Sequence, residues 1–359
     1  MIMTSQAGRA FLVLTIFLGC ADGLLAQAAD PKPAFAVGTA KAARGQKATG
    51  VIAVPAGSDA ATSIPVAVVH GARPGPVLSL VAGAHGTEYA SIVALEKLIA
   101  LLDPAAISGT VIIVPLVNLA SFEQKVPHVN PVDGKNMNRF YPGNPAGTQT
   151  ERASHAITRE VVERSDHLID LHGGDLDESL RPYSYWTVTG NQRQDQVSRE
   201  MALAFGLDTI IISTDRPKDP AASRYLENTA STRGKPSLTV EAGHAGTVET
   251  DDVNALVNGC LSVMRHLGMM PGVASTIDNP VWVERLASIT SDQTGMFYPL
   301  VKRGAYVAKG MLVGYLTDYF GKTIFEARSP EAGVVLYLRA VPSVVKGETV
   351  ASIGIVKRE

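Results

Sequence analysis

The sequence predicts an α/β protein: a mixed, mostly parallel sheet with helices on both faces, plus a small C-terminal β-barrel-like module. Two patterns carry this. After about Gly71, compact apolar runs alternate with amphipathic helical spacings, as strand–helix–strand units require. Beyond about Thr276 the helical spacings stop, and short β-like pieces alternate with Gly turns, as in Val301-Lys302-Arg303-Gly304 and Val345-Lys346-Gly347. The 359 residues, 46% of them hydrophobic, suffice for one large domain and a smaller one. The expected organisation is a signal peptide over residues 1–28, an α/β domain over 33–275 and the β module over 276–359.

The elements follow in order. Residues 33–71 read as short β pieces broken by Gly and Pro. Val77 to Gly83 is an apolar run expected of a buried strand. Ala90 to Leu102 has helical spacing at Ile92, Leu95, Leu98 and Leu102, and Thr110 to Val114 is the next strand. A long polar loop from Asn118 to Gly147 comes next. Thr148-Gln149-Thr150-Glu151 is a capping box opening a helix to about Arg164. His167 to Leu171 and Ser237 to Glu241 read as strands. In such sheets binding groups collect in loops at the carboxyl ends of strands, where His85, His172 and Glu241 all fall.

At the N-terminus, Arg9, the apolar stretch Ala10 to Leu18 and the small residues Ala26-Gln27-Ala28 have the order of a secretory signal peptide, too short for a spanning helix. Export to the periplasm or outside the cell is expected, with no transmembrane segment after removal. Cys260 is then the one cysteine left, so no intramolecular disulfide can form, and its apolar helical surroundings suit a buried thiol. A formal net charge of −2 gives no reason to expect nucleic acid or an anionic membrane as partner. A homo-oligomer is left open.

His85 and Glu88 lie on a turn between a strand and a helix, where a His-x-x-Glu spacing brings an imidazole and a carboxylate to one point. The pair is weak alone. Asp170-Leu171-His172-Gly173-Gly174 delivers a second imidazole to the same rim, and two His with one carboxylate leave a fourth tetrahedral position for water. Asp170 shares a strand face with His172 and is placed to orient it. Glu241 ends an apolar strand, where a carboxylate is costly unless paired or facing a cleft. A general base and acid fits there. Asn138 and Arg139, in the long loop, offer donors for a substrate carboxylate.

Taken in order, these motifs resemble the succinylglutamate desuccinylase and aspartoacylase family, relatives of zinc carboxypeptidases. The matching stretches are Gly83 to Glu88, Asn130-Pro131-Val132-Asp133-Gly134 through Arg139-Phe140-Tyr141-Pro142-Gly143, Asp170 to Gly173, and Val240-Glu241-Ala242-Gly243. The resemblance implies a zinc carboxypeptidase-like fold and one Zn2+ per chain on His85, Glu88 and His172. It also implies Glu241 as catalytic carboxylate and Asn138 with Arg139 as carboxylate-binding groups. The family's arginine ahead of the Asn-Arg pair is missing; that region reads Gln124-Lys125-Val126-Pro127-His128, so Lys125 or His128 is left for the oxyanion role. Arg181, Tyr183 and Tyr185 are candidate pocket walls, and Tyr298 a candidate cap. His244 is read as a bystander, because a catalytic zinc with three protein ligands keeps its fourth position for water. His70, His155, His167 and His266 carry no motif.

The C-terminal module resembles the barrel of biotinyl and lipoyl carrier domains. The turn that would carry the modified lysine reads Ala327-Arg328-Ser329-Pro330, which argues against a carrier role. The expected activity is zinc-dependent hydrolysis of an amide bond in an N-acyl amino acid or related small amide carrying a carboxylate. Two alternatives stand beside it: an exported metallopeptidase for short or cell-wall peptides, and a non-catalytic ligand-binding relative.

Overall fold

The structure is a computed structural model that describes Met1, Ile2 and residues 34–357; the expected signal peptide otherwise lies outside the described residues. Residues 34–357 form one compact unit. A hairpin of β1 (Ala34–Val37) and β2 (Ala40–Ala43) precedes β3 (Gln46–Val54), β4 (Thr62–His70) and β5 (Arg73–Ala82). Then come α1 (Tyr89–Leu101), β6 (Ser108–Val114), α2 (Leu119–Gln124) and α3 (Gln149–Glu160). β7 (His167–His172), β8 (Glu178–Thr187), α4 (Gln192–Phe205) and β9 (Thr209–Ser213) follow. α5 (Leu226–Ser231), β10 (Ser237–His244) and α6 (Thr250–His266) complete the helical part. The remainder is all strand: β11 (Val281–Thr290), β12 (Gly295–Pro299), β13 (Tyr306–Val307), β14 (Leu312–Thr317), β15 (Thr323–Arg328), β16 (Gly333–Arg339), β17 (Ser343–Val344) and β18 (Thr349–Val356).

One 12-stranded sheet runs in the order β13-β16-β18-β11-β9-β8-β10-β7-β5-β6-β4-β3. Side-chain alternation divides its core into two layers. Leu78, Leu80, Ile169, Leu171, Leu238 and Val240 face α1, α4 and α6 through Leu95, Phe205, Leu256 and the buried Cys260. Val77, Val81, Ile112 and Leu168 face the other way, onto Ile157 of α3, Leu226 of α5 and the β1–β2 hairpin. Helices on both faces thus follow from the apolar runs. No helix among the described residues is long and apolar enough to cross a membrane.

The sheet is less parallel than the sequence suggested. Parallel pairing joins β6–β5, β5–β7, β7–β10, β8–β9 and β9–β11. However, β8 runs antiparallel to β10 and parallel to β9, so the strand direction reverses between β10 and β8, and both flanks of the sheet are antiparallel. The chain returns from β7 into β8 through a short loop with no helix, and β10 fills the place between them, parallel to β7 and antiparallel to β8. Four strands beyond residue 276 (β11, β13, β16 and β18) belong to this sheet, and β16 also pairs with β8. The other four form a sheet in the order β15-β14-β12-β17 that shares a core with them, including Phe297, Val313, Val335 and Ile353.

Candidate metal centre and cleft

Gly83, at φ +69, turns the chain out of β5, and the loop it opens carries His85 and Glu88 to the start of α1. His172 is the last residue of β7 and pairs in parallel register with Glu241 of β10. Two adjacent strand ends and one strand–helix turn therefore meet at one rim. There, ligand atoms of His85, Glu88 and His172 lie within 4.8 Å of one another. Glu88 is almost fully buried and faces one imidazole with each oxygen: His85 Nδ1 is 2.6 Å from Oε1 and His172 Nδ1 2.9 Å from Oε2. The Gly173 amide donates to the same Oε2 at 3.1 Å.

Behind the Nδ1 atoms, each ring has an oxygen partner on Nε2. His85 Nε2 lies 3.1 Å from the Asn136 side-chain oxygen, and His172 Nε2 lies 3.2 Å from Asp170 Oδ1. For His85 the Asn136 oxygen accepts from Nε2, which leaves Nδ1 turned toward Glu88 and free to bind a metal. Burial works against an ionised Glu88, yet the two imidazoles hold its pKa down at about 2. For His172, burial is outweighed by Asp170 and Glu88, which keep its pKa well above the ordinary value. Two neutral-capable nitrogens and one committed carboxylate, shielded from solvent, suit a divalent ion of the zinc class.

The cleft above these residues has a volume of about 220 Å³, and its walls include Asn138, Arg139, Tyr185, Arg216, Tyr225 and Glu241. Burial drives the Glu241 pKa well above the carboxylate range; His172 opposes this, and Glu88, Glu178 and Asp170 reinforce it. Glu178, also in the wall, is raised to about 7, first by burial and then by the charge of Glu88.

The other expected site residues divide. His128 is in the wall, its Nε2 2.8 Å from Asp177 Oδ1 and its Nδ1 3.3 Å from Asp175. The Asp177 hydrogen bond, working against burial, raises its pKa to about 9. Lys125 is a correction: it ends α2 in the left-handed region, is exposed and stands outside the cleft lining. Arg181 is another, since its guanidinium is taken up by Asp208, Thr209 and the Gly304 carbonyl. Tyr298 stacks on Tyr315 at 5.3 Å in the four-stranded sheet, also outside the lining. Asn138 reaches the cleft, but its side-chain oxygen accepts from the Leu226 amide and its nitrogen lies 3.1 Å from His172 Nε2, so it braces the site. His244 is outside the lining, as are His70, His155, His167 and His266.

Arg216 was not foreseen. Its guanidinium lies 4.0 Å from the centroid of Tyr225, whose ring also carries Arg139 at 4.7 Å, and Arg216 Nε is buried without a hydrogen-bond partner. Two arginines bracket one tyrosine at the cleft wall. No local pattern marks Arg216, because it lies in the loop between β9 and α5 and meets Arg139 only through the fold.

Residues 74–267 match the model of the succinylglutamate desuccinylase/aspartoacylase catalytic domain. The chain is 30% identical over 299 residues to the N-alpha-acetyl-L-2,4-diaminobutyric acid deacetylase of Halomonas elongata, covering 82% of this chain and 86% of that protein. Among solved structures, a succinylglutamate desuccinylase from Silicibacter sp. TM1040 superposes with a TM-score of 0.78 at 23% identity, covering 87% of this chain and 95% of that one. The product-bound ectoine utilization protein EutE (DoeB) from Ruegeria pomeroyi superposes with a TM-score of 0.77 at 26% identity, covering 86% and 95%.

Proposed function

Because the chain belongs to the succinylglutamate desuccinylase/aspartoacylase family, we propose that it is an exported, zinc-dependent hydrolase of N-acyl amino acids. The observation that carries this is the meeting of His85, Glu88 and His172 within 4.8 Å on the rim that also presents Glu241. His85, Glu88 and His172 would hold the ion. When bound, zinc acidifies water and polarises the amide carbonyl.

The chain's own residues do the rest. Glu241 takes a proton from the attacking water and passes it to the leaving nitrogen, a task suited to a carboxyl whose surroundings tolerate its protonated form. His128, kept cationic by Asp177, faces the oxygen on which negative charge grows. Arg139 and Arg216, stacked on Tyr225, hold the substrate's carboxylate. A cleft of about 220 Å³ is smaller than the roughly 300–1,000 Å³ of drug-sized sites and fits a small acyl amino acid. The products are a carboxylate and a free amine. The name of the Halomonas relative makes acetylated diamino acids the natural first probes.

The test is metal analysis of the purified protein together with hydrolysis of a panel of N-acetyl and N-succinyl amino acids set against dipeptides. One zinc per chain is expected, with turnover of acyl amino acids that chelation abolishes and added zinc restores. Cleavage of the dipeptides alone would make the protein a peptidase. Stoichiometric zinc without any hydrolysis would make it a binding relative.

A further inference from the structure

Four carboxylates line the cleft: Glu88, Glu178, Glu227 and Glu241. Three have an assigned role or a full set of partners. Glu88 belongs to the metal set, Glu241 to proton transfer, and buried Glu227 accepts from the hydroxyls of Thr187 and Ser237. Glu178 differs. One of its oxygens accepts from the Asp175 amide at 3.2 Å, and the other has no donor among the described residues. No arginine or lysine pairs with it there. His128, the cation beside it, is bonded to Asp177 and Asp175, and Arg339, which borders the same wall, is paired with Asp177 and Glu348.

A carboxylate sheltered from solvent without a counter-ion is costly, and the cost falls when a cation arrives. The cleft thus has two poles: arginines suited to a carboxylate, and an acid whose neighbouring cations are committed elsewhere. We propose that Glu178 selects the substrate side chain by pairing with an ammonium at its end, so that the preferred substrates are N-acyl derivatives of diamino acids. This rests on the hydrolase reading above and adds to it the residue that sets specificity.

The test compares two substrates of nearly equal shape, N-acetyl-2,4-diaminobutyrate, which carries the cation, and N-acetylnorvaline, which has a methyl in its place. The readout is the ratio of their kcat/KM values on a single preparation, in which the fraction of active protein cancels. The zinc-loaded full-length protein should favour the cationic substrate by about tenfold or more, as one charge-assisted contact allows. Glu178→Gln should remove most of that preference, and Glu178→Lys should reverse it. A ratio that neither variant moves overturns the proposal, and so does an equal loss on both substrates. If the variants turn over too slowly to measure, calorimetric binding of free 2,4-diaminobutyrate and norvaline supplies the same ratio, and an unmoved ratio again overturns the proposal. A wild-type protein that hydrolyses neither amide overturns the parent reading and this inference together; an active wild type with an unmoved ratio overturns only the inference.

Discussion

Glu241 lies beside His172 in register, with its carboxyl held above the usual range chiefly by burial. Glu241→Gln keeps the shape and removes the proton carrier. Zinc content should remain at one per chain while kcat falls by about 10²–10⁴, the usual worth of a positioned acid–base group; turnover within a few-fold of wild type would take Glu241 out of that role. His128 makes a prediction about pH. Its pKa in the folded protein, about 9, lies above the ordinary 6.5, so its stabilisation is complete below pH 6.5 and is lost as pH rises through 9. Asn tolerates the φ of +62° at this position. The difference in melting temperature between wild type and His128→Asn should therefore shrink steadily from pH 6.5 to pH 10, and a constant difference would refute the ion pair with Asp177. Residues whose meeting was legible in the sequence sit where short-range spacing equals spatial proximity, as with His85 and Glu88. Arg216 and Glu178 owe their places to long-range packing, which a spacing cannot encode. Lys125 misled because nearness in sequence to the Asn-Arg pair says nothing about the left-handed turn that points it outward.

At the scale of elements, the site depends on how closely β7 and β10 approach. The pair Gly173-Gly174 after β7 packs directly on the end of β10: a Cβ built on Gly243 would stand 2.3 Å from the Gly174 nitrogen and 3.1 Å from the Gly173 carbonyl carbon. Those atoms are backbone, which cannot swing aside as a side chain can. Gly243→Ala should push apart the strand ends that carry His172 and Glu241, at a cost of about 1–3 kcal/mol. Thermal melts should show the loss of stability and zinc analysis a weaker site; an unchanged melting temperature would mean that the two turns part freely. The strands that frame the metal set were legible because each carries closely spaced buried apolar residues: Leu78 and Leu80 of β5, Ile169 and Leu171 of β7, Leu238 and Val240 of β10. β8 was not. Its burial pattern runs in pairs, with Pro182 in its middle and a register shift opposite Glu241 and Gly243, so the period-2 signal is lost. With β8 hidden, its antiparallel insertion beside β10 was out of reach too.

At the scale of the whole molecule, the strands beyond residue 276 are part of the platform on which the cleft is built. Val281–Val283 pair in parallel with Thr209–Ile211, and Tyr337–Arg339 pair with Leu180–Glu178, so β8 and β9 complete their ladders only with the C-terminal strands. Tyr183, on the strand that also carries Glu178 and Tyr185, is buried against Val283, Val334 and Leu336. Arg303 donates to the carbonyls of Leu180 and Gly243 and reaches Asp252 of α6, and Arg339 holds the Asp177 that keeps His128 charged. A chain ending at residue 276 would strip β9 of one neighbour, leave buried arginine acceptors unpaired and open the Tyr183 cluster to water. Each of these is a recognised route to large destabilisation, and here they act together. The truncated protein should therefore show no cooperative thermal transition and no amide hydrolysis, even with zinc supplied. Recovery of soluble, cooperatively melting protein with wild-type kcat/KM would instead make residues 276–359 a detachable module and leave β8 positioned by β10 and β9 alone.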